Sequence, residues 1–496
     1  MAQYAENKPT ADVLMSSMRS MGYTFEAAIA DIVDNSISAD AKYVQIYFPV
    51  DPTDLFVAIC DNGYGMNRNE LFDAMKYGSS LKRGKRQEND LGRFGLGLKS
   101  ASLSQCRKLT VVSKKDNDVS AFTWDLDTVE EKRDWIMLER TTDEIQSLRF
   151  IDFLNERETG TIVIWEDFDI IRESSGNEYA ELMEYQSEVS NYLSLIFHRY
   201  LNKPGANRLT IRINEFDLKG LDPFLENHPK TTSRLPFSIV IKDKTGAEQK
   251  MTVQVFVLPF QKDLSPEDKK NSGGIENYRS KQGFYIYRNE RLIVWGTWFG
   301  RQRDELTKYA RIRVDIPNTL DEIWGIDIKK QNAKIPSAIR KRLTRAVDEA
   351  MDISVKKQTY RGRIAKIDEN TDYIWDRKEE RGVVTYQINR NSRIFDLLKG
   401  RIDDTAWGYV DMVLDEIEAN IPYQQIYIDK SQNKVDEQIT DEQKAEIADK
   451  ARILIAMAKD MGGDSFNRII DRLWNSEPFN KVPELKKTML EEYPDD

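Results

Sequence analysis

The chain has 496 residues, 40% hydrophobic and 31% charged, with a net charge of −10, two cysteines and two histidines. That length exceeds one core and implies two to four domains; no run of eighteen apolar residues marks a membrane span, and the start MAQYAENKPTADVL lacks the basic and apolar stretches of a signal peptide. Cys60 and Cys106 with His198 and His228 exclude a disulfide-stapled scaffold, a four-cysteine zinc site and histidine-rich metal chemistry, and they point to a reducing, cytoplasmic setting.

Phe25, Ala28, Ile29, Ile32 and Ser36 recur at three- and four-residue spacing and predict a helix over 24–38. YVQIYF (43–48) and LFVAIC (55–60) read as strands, NELFDAMKYG as a short helix, and KLTVVSKK and GTIVIWEDF as further strands. Residues 1–172 thus mix helix and strand in one unit. The stretch 175–201 reads as one long connecting helix. LTIRINEFDL, FSIVIKD, MTVQVFVLPF and GFYIYRNERLIVWG follow as strands, closed by a helix in SAIRKRLTRAVDEAMDISVKK, so that 173–350 form a second unit. Residues 351–496 hold one strand, VVTYQIN, and then mostly helix.

Within the 24–38 helix, Asp31, Asp34 and Asn35 are poor choices for a helix interior. Asp31 and Asn35 lie one turn apart on a face roughly 100° from the apolar stripe, where they can border a pocket. An amide oxygen there can share Mg²⁺ with phosphate oxygens, and a carboxylate one turn away can orient a water; for this helix alone, an exposed polar face is the plainer reading. In VAICDNGYGM an acid, Asp61, ends an apolar strand before Gly63 and Gly65. A carboxylate there can accept from an exocyclic amine such as that of adenine, although Asp-Asn-Gly also suits an ordinary turn. An EF-hand is disfavoured because Gly63 stands where a second oxygen ligand belongs. LGRFGLGLKSAS (91–102) nearly imitates a Walker A loop, but Leu98 separates Gly97 from Lys99, and the Rossmann spacing fails as well. Gly92, Gly95 and Gly97 ahead of a helix still offer backbone N–H groups to phosphate, with Lys99 adding a charge.

These motifs in this order resemble the GHKL ATPases (DNA gyrase, MutL, the large heat-shock chaperones, histidine kinases and MORC proteins). The family's D-x-G-x-G falls on Asp61, Gly63 and Gly65, its G-x-x-G-x-G lid on Gly92, Gly95 and Gly97, and its later G-T strand on Gly160 and Thr161. YGSSLKRG followed by LGRFGLGLKSAS is most similar to the MORC branch. The resemblance covers roughly residues 10–350 and implies an α+β protein: a Bergerat-type two-layer α/β sandwich, an S5-like transducer domain and a mostly helical C-terminal region. It implies ATP and Mg²⁺ as cofactors, held by Asp34, Asn35, Asp61, Gly63, Gly65, Met66, Ser80, Lys82, Gly92, Phe94, Gly95, Leu96, Gly97, Leu98, Lys99 and Thr161, with Asn35 on the metal. Asp31 would align the attacking water and Lys330, beside Lys329 and before Gln331, would sense the γ-phosphate; two adjacent lysines also suit a solvated loop. Most of the family has glutamate at position 31, and the shorter aspartate implies a shift of about 1 Å and slow turnover. The MORC zinc finger is missing, since its cysteines are.

The implied device is an ATP-gated homodimerisation switch, with residues 1–22 crossing to the partner subunit. One reading is a DNA-directed ATPase, within an anti-phage defence complex of several proteins, touching DNA through 340–366, where basic runs stand at 340–342 and 356–366 (a third is at 82–86). The alternative is a chaperone-like ATPase with protein clients. A histidine kinase is set aside because no histidine precedes His198.

Overall fold

The structure is a computed structural model. It describes residues 10–20, 22–77, 97–243, 246–300, 307–321, 323–324, 371–380, 383–431, 439–460 and 465–495, together with 339, 343, 346–348, 350 and 353–354. The chain divides into two units, Met1–Gln358 and Thr359–Asp496.

The first unit begins with an eight-stranded sheet. Its strands are β1 (Tyr43–Tyr47), β2 (Val57–Asp61), β3 (Lys108–Lys115), β4 (Asp118–Asp125), β5 (Leu138–Glu139), β6 (Gly160–Glu166), β7 (Thr210–Ile213) and β8 (Phe216–Asp217), in the order β5-β4-β3-β6-β2-β1-β7-β8. β1 and β7 run parallel and the other neighbours antiparallel, a mixed sheet. The accompanying helices are α1 (Ala11–Arg19), α2 (Phe25–Ser38), α3 (Arg68–Met75), α4 (Gly97–Leu103), α5 (Leu126–Lys132), α6 (Thr142–Gln146), α7 (Ile151–Asn155), α8 (Asp169–Ser174), α9 (Glu178–Ile196) and α10 (His198–Leu201). Alternation along the strands feeds two cores. Val57 and Ile59 of β2 join Ile29, Ile32, Leu193 and Ile196 from α2 and α9, while Ala58 and Cys60 join Ile145, Ile151 and Leu154 from α6 and α7. Phe25 fixes the start of α2, stacking on Tyr185 of α9 at 4.6 Å and meeting Trp165 of β6 edge-on at 5.7 Å.

A second sheet comprises β9 (Thr232–Ser233), β10 (Phe237–Lys242), β11 (Glu248–Val257), β12 (Gly283–Arg288), β13 (Arg291–Thr297) and β14 (Ala310–Ile316), ordered β10-β11-β14-β12-β13 with β9 against β11. One face packs Val253, Ile286, Ile312 and Val314 against Ile339, Leu343, Ala346 and Val347 of the closing helix. From the other face Phe256, Tyr285, Tyr287 and Leu292 enter the core under α2 and α9. Buried His198 of α10 shares a 2.7 Å hydrogen bond with the Tyr287 hydroxyl, and burial drives its pKa down to about 3, so it is a neutral packing group.

The Thr359–Asp496 unit pairs Trp375–Glu380 with Val383–Ile388. Its helices span Arg393–Lys399, Asp404–Ala419, Tyr423–Ser431, Asp441–Asp460, Phe466–Leu473 and Pro483–Glu492. Ala451, Ile455, Ile470, Trp474 and Phe479 are central to its core, and Arg390 pairs with Asp411, Asp415 and Glu418 of the 404–419 helix.

Several elements differ from the sequence reading. LTIRINEFDL, assigned to the second unit, supplies β7 and β8 of the first sheet, because β1 offers an open edge that β7 pairs in parallel. The 175–201 helix breaks at Phe197. ARIRVDI escaped notice because arginines interrupt its apolar pattern, yet Arg311 is buried and donates to carbonyls such as that of Lys308 at 2.9 Å. DVSAFTWD and WDRKEE, strands with polar or charged faces, escaped for a similar reason.

Candidate functional site

α2 is buried nearly all round: Phe25, Ala27 to Asp34, and Ser36 are inside. The polar residues that looked misplaced in the sequence are therefore interior groups. Asp31 is 3% exposed and Asp34 0%, while Asn35, one turn beyond Asp31, is half-buried. The Tyr23 hydroxyl donates to Asp31 Oδ2 at 3.1 Å. A cation arrives from the second sheet. Arg291, 1% exposed, forms an ion pair with Asp34 at 2.8 Å and lies 3.9 Å from Asp31 Oδ1, its guanidinium over the Phe197 ring at 5.7 Å. Burial works against its charge, but Asp34, Tyr192 and Asp31 outweigh that and hold its pKa above the ordinary value. Neither Tyr23 nor Arg291 carried a sequence signal; an arginine 260 positions from Asp31 is brought to it only by packing.

The turn after β2 is built around Asp61. Its Oδ2 accepts from Ser36 Oγ and its Oδ1 from the Gly63 N–H, both at 2.9 Å. Burial raises its pKa to about 6 against these two bonds, which lower it. Gly63 is required by space, since a β-carbon there would stand 2.7 Å from that of Ala39. Gly65 adopts φ +64°, and a β-carbon would collide with the Lys114 carbonyl. Thr161 on β6 lies opposite Asp61, with its hydroxyl 2.9 Å from that of Ser113. Ser113 also accepts from the Met66 N–H at 2.9 Å and donates to the Gly160 carbonyl at 3.1 Å, so one buried serine that the sequence did not single out ties the turn to both strands.

Gly97 opens α4, and its β-carbon position lies 3.6 Å from Asp31 Oδ2, placing the end of the glycine segment against the acid. Leu98 is half-buried against the core. Lys99 is fully buried and donates to the carbonyls of Ala74 (2.7 Å) and Lys76 (3.0 Å) at the end of α3. These two bonds tie the start of α4 to the C-terminal end of α3. Ser80, Lys82, Gly92, Phe94, Gly95, Leu96, Lys329, Lys330 and Gln331 lie outside the described residues, as do residues 1–9 and the basic runs at 82–86, 340–342 and 356–366. Residues 11–19, read as part of a crossing segment, form α1 and seat Ala11 and Met15 in the first core, while Arg19 donates to Asp169 at 2.8 Å. Among the described residues no helix is long and apolar enough to cross a membrane, and both cysteines are buried and free.

The structure thus brings Asp31, Asp34, Asn35, Asp61, Gly63, Gly65, Met66, Gly97 and Thr161 together through α2, the β2 turn, β6 and α4. A family model described as "Histidine kinase-, DNA gyrase B-, and HSP90-like ATPase" matches residues 23–161. ATPase morc-1 of Caenorhabditis elegans is 38% identical over 95 residues, 19% of this chain and 11% of that protein. ATPase MORC2B of Mus musculus is 32% identical over 115 residues, 22% of this chain and 11% of its own. ATPase MORC2 of Homo sapiens is 30% identical over 97 residues, 19% and 9%. The match spans about a tenth of the length of these relatives. Over residues 23–161, with α2 carrying the acid and the β2 turn carrying the buried aspartate, the chain is a GHKL ATPase domain of MORC-like sequence.

Proposed function

We propose that the chain binds ATP between α2, the β2 turn and the start of α4, and hydrolyses it slowly. The observation that carries this is Asp61, a buried carboxylate gripped by Ser36 and Gly63 and set opposite Thr161. Such an acceptor suits the exocyclic amine of adenine, and the absence of a side chain at Gly63 lets the turn pack onto Ala39 and hold Asp61 in place. Asn35 supplies a single amide oxygen, a donor that fits a Mg²⁺ ion whose other ligands are waters and phosphate oxygens. Asn35 would hold that ion, and its charge would offset the charge building on the phosphates. Asp31, aimed by the Tyr23 hydroxyl, aligns the attacking water and takes up its proton. Lys330 closes on the γ-phosphate, and Ser80, Lys82 and the glycine segment cover the chain of phosphates.

The nucleotide then gates a homodimer, as γ-phosphate contacts order segments in other switches. We extend this to a DNA-directed role within a defence system; the basic runs near 340–366 support the DNA part of that reading. The acidic balance supports the alternative of protein clients. DNA retention that weakens steeply with salt separates the two. Asp31→Ala tests the chemistry: turnover is expected to fall at least about a hundredfold with nucleotide still bound, and unchanged turnover removes Asp31 from this role.

A further inference from the structure

Arg291 begins β13, just past a two-residue turn in which Asn289 and Glu290 both have positive φ, 46° and 66°. Two such residues make a tight hairpin whose twist matches its strands. The tip is fastened on every side. Arg288 pairs with Asp321 at 2.7 Å with both side chains 2% exposed. The Tyr200 hydroxyl of α10 donates to the Asn289 carbonyl, and Glu290 pairs with Lys203 and, at 3.8 Å, with Arg199. Arg291 itself enters α2 between two carboxylates three residues apart, which share a helix face. A guanidinium is a planar fork with several donors, so it can hold Asp34 and face Asp31 at once. At 1% exposure it is walled in by α2, Phe197 and the hairpin.

We propose that Arg291 is a positioning residue for hydrolysis: by gripping Asp34 and facing Asp31 it sets where the Asp31 carboxylate points, and it makes that aim depend on the seating of the β12–β13 hairpin. The inference rests on Asp31 being the water-aligning group. A side chain as short as aspartate has little reach to correct a misplaced helix, and a displacement of about 1 Å can cost roughly a hundredfold in rate. The second sheet therefore acts on the chemistry through a buried ion pair as well as through any lysine that reaches the phosphates.

The test uses the full chain with Mg-ATP, measuring kcat and KM, together with calorimetric affinity for a non-hydrolysable ATP analogue. Arg291→Gln is expected to lower kcat at least about tenfold, with affinity for the analogue within about twofold of wild type. Arg291→Lys keeps the charge and loses the fork, so its kcat should fall between the two. If Arg291→Gln does not fold, Arg291→Lys decides alone, with an expected loss in kcat of about threefold or more at unchanged affinity. A wild-type kcat in the variant that decides, or a kcat loss matched by an equal loss of affinity, overturns the proposal. Asp31→Ala is run in parallel. If it is inactive while Arg291→Gln turns over normally, only the Arg291 inference fails; if Asp31→Ala turns over normally, the reading of Asp31 fails instead.

Discussion

Asp61 shows what a single residue carries. Its carboxyl pKa is raised from 3.8 to about 6 by burial, so the folded chain holds this proton more tightly than the unfolded one. The resulting stabilisation is fully present below 3.8 and is lost as pH rises through 6, a swing of about 3 kcal/mol for two pK units. Thermal unfolding across pH 4–7 should show wild type losing stability that Asp61→Asn does not lose; parallel pH dependences in the two proteins would contradict this. ATP affinity should move the other way, weakening below about pH 6 as the acceptor is protonated, and Asp61→Asn should cost about 10- to 100-fold in affinity. Nearby, Ser113→Ala removes a buried hydroxyl bonded to Met66, Gly160 and Thr161, and a loss of about 1–3 kcal/mol in denaturant unfolding is expected. Asp61, Gly63 and Gly65 were legible in the sequence because a turn after an apolar strand leaves a local trace. Ser113 was not, because a buried serine in KLTVVSKK looks like any strand residue.

At the level of elements, α2 and the β12–β13 hairpin form one electrostatic unit. Arg291→Met leaves Asp31 and Asp34 buried without the guanidinium they face, and a destabilisation of about 3–5 kcal/mol is expected in chemical denaturation. Replacing Asp34 and Arg291 together by Asn and Met should cost much less than the sum of the two single changes, and additive costs would contradict the pairing. The extent of α2 was legible from its 3.6-residue period, and its boundaries at 25 and 38 agree with the reading over 24–38. Its surroundings were not. Periodicity reports one apolar stripe, whereas α2 is covered on its polar side by α4 and by an arginine from a distant hairpin. Lys99 makes the same point: its place after the glycines gives no sign that its ammonium also bonds the carbonyls at the end of α3.

For the whole molecule, order along the chain was easier to read than pairing between distant strands. The motifs at 31–35, 61–65 and 97–99 fall in one region, but the parallel docking of β7 on β1 depends on partners 167 residues apart (Tyr43 with Thr210) and leaves no local trace. Dimerisation belongs to this scale. Sedimentation should show a monomer that becomes a dimer with a non-hydrolysable ATP analogue and Mg²⁺, and an unchanged mass would contradict the switch. The most direct measurement is calorimetry of the full chain titrated with that analogue in the presence of Mg²⁺. Saturable binding of one nucleotide per chain, weakened at least about tenfold by Asp61→Asn, is the expected result. No heat at millimolar nucleotide, or equal binding by the Asp61→Asn chain, would contradict a nucleotide site built on α2 and the β2 turn.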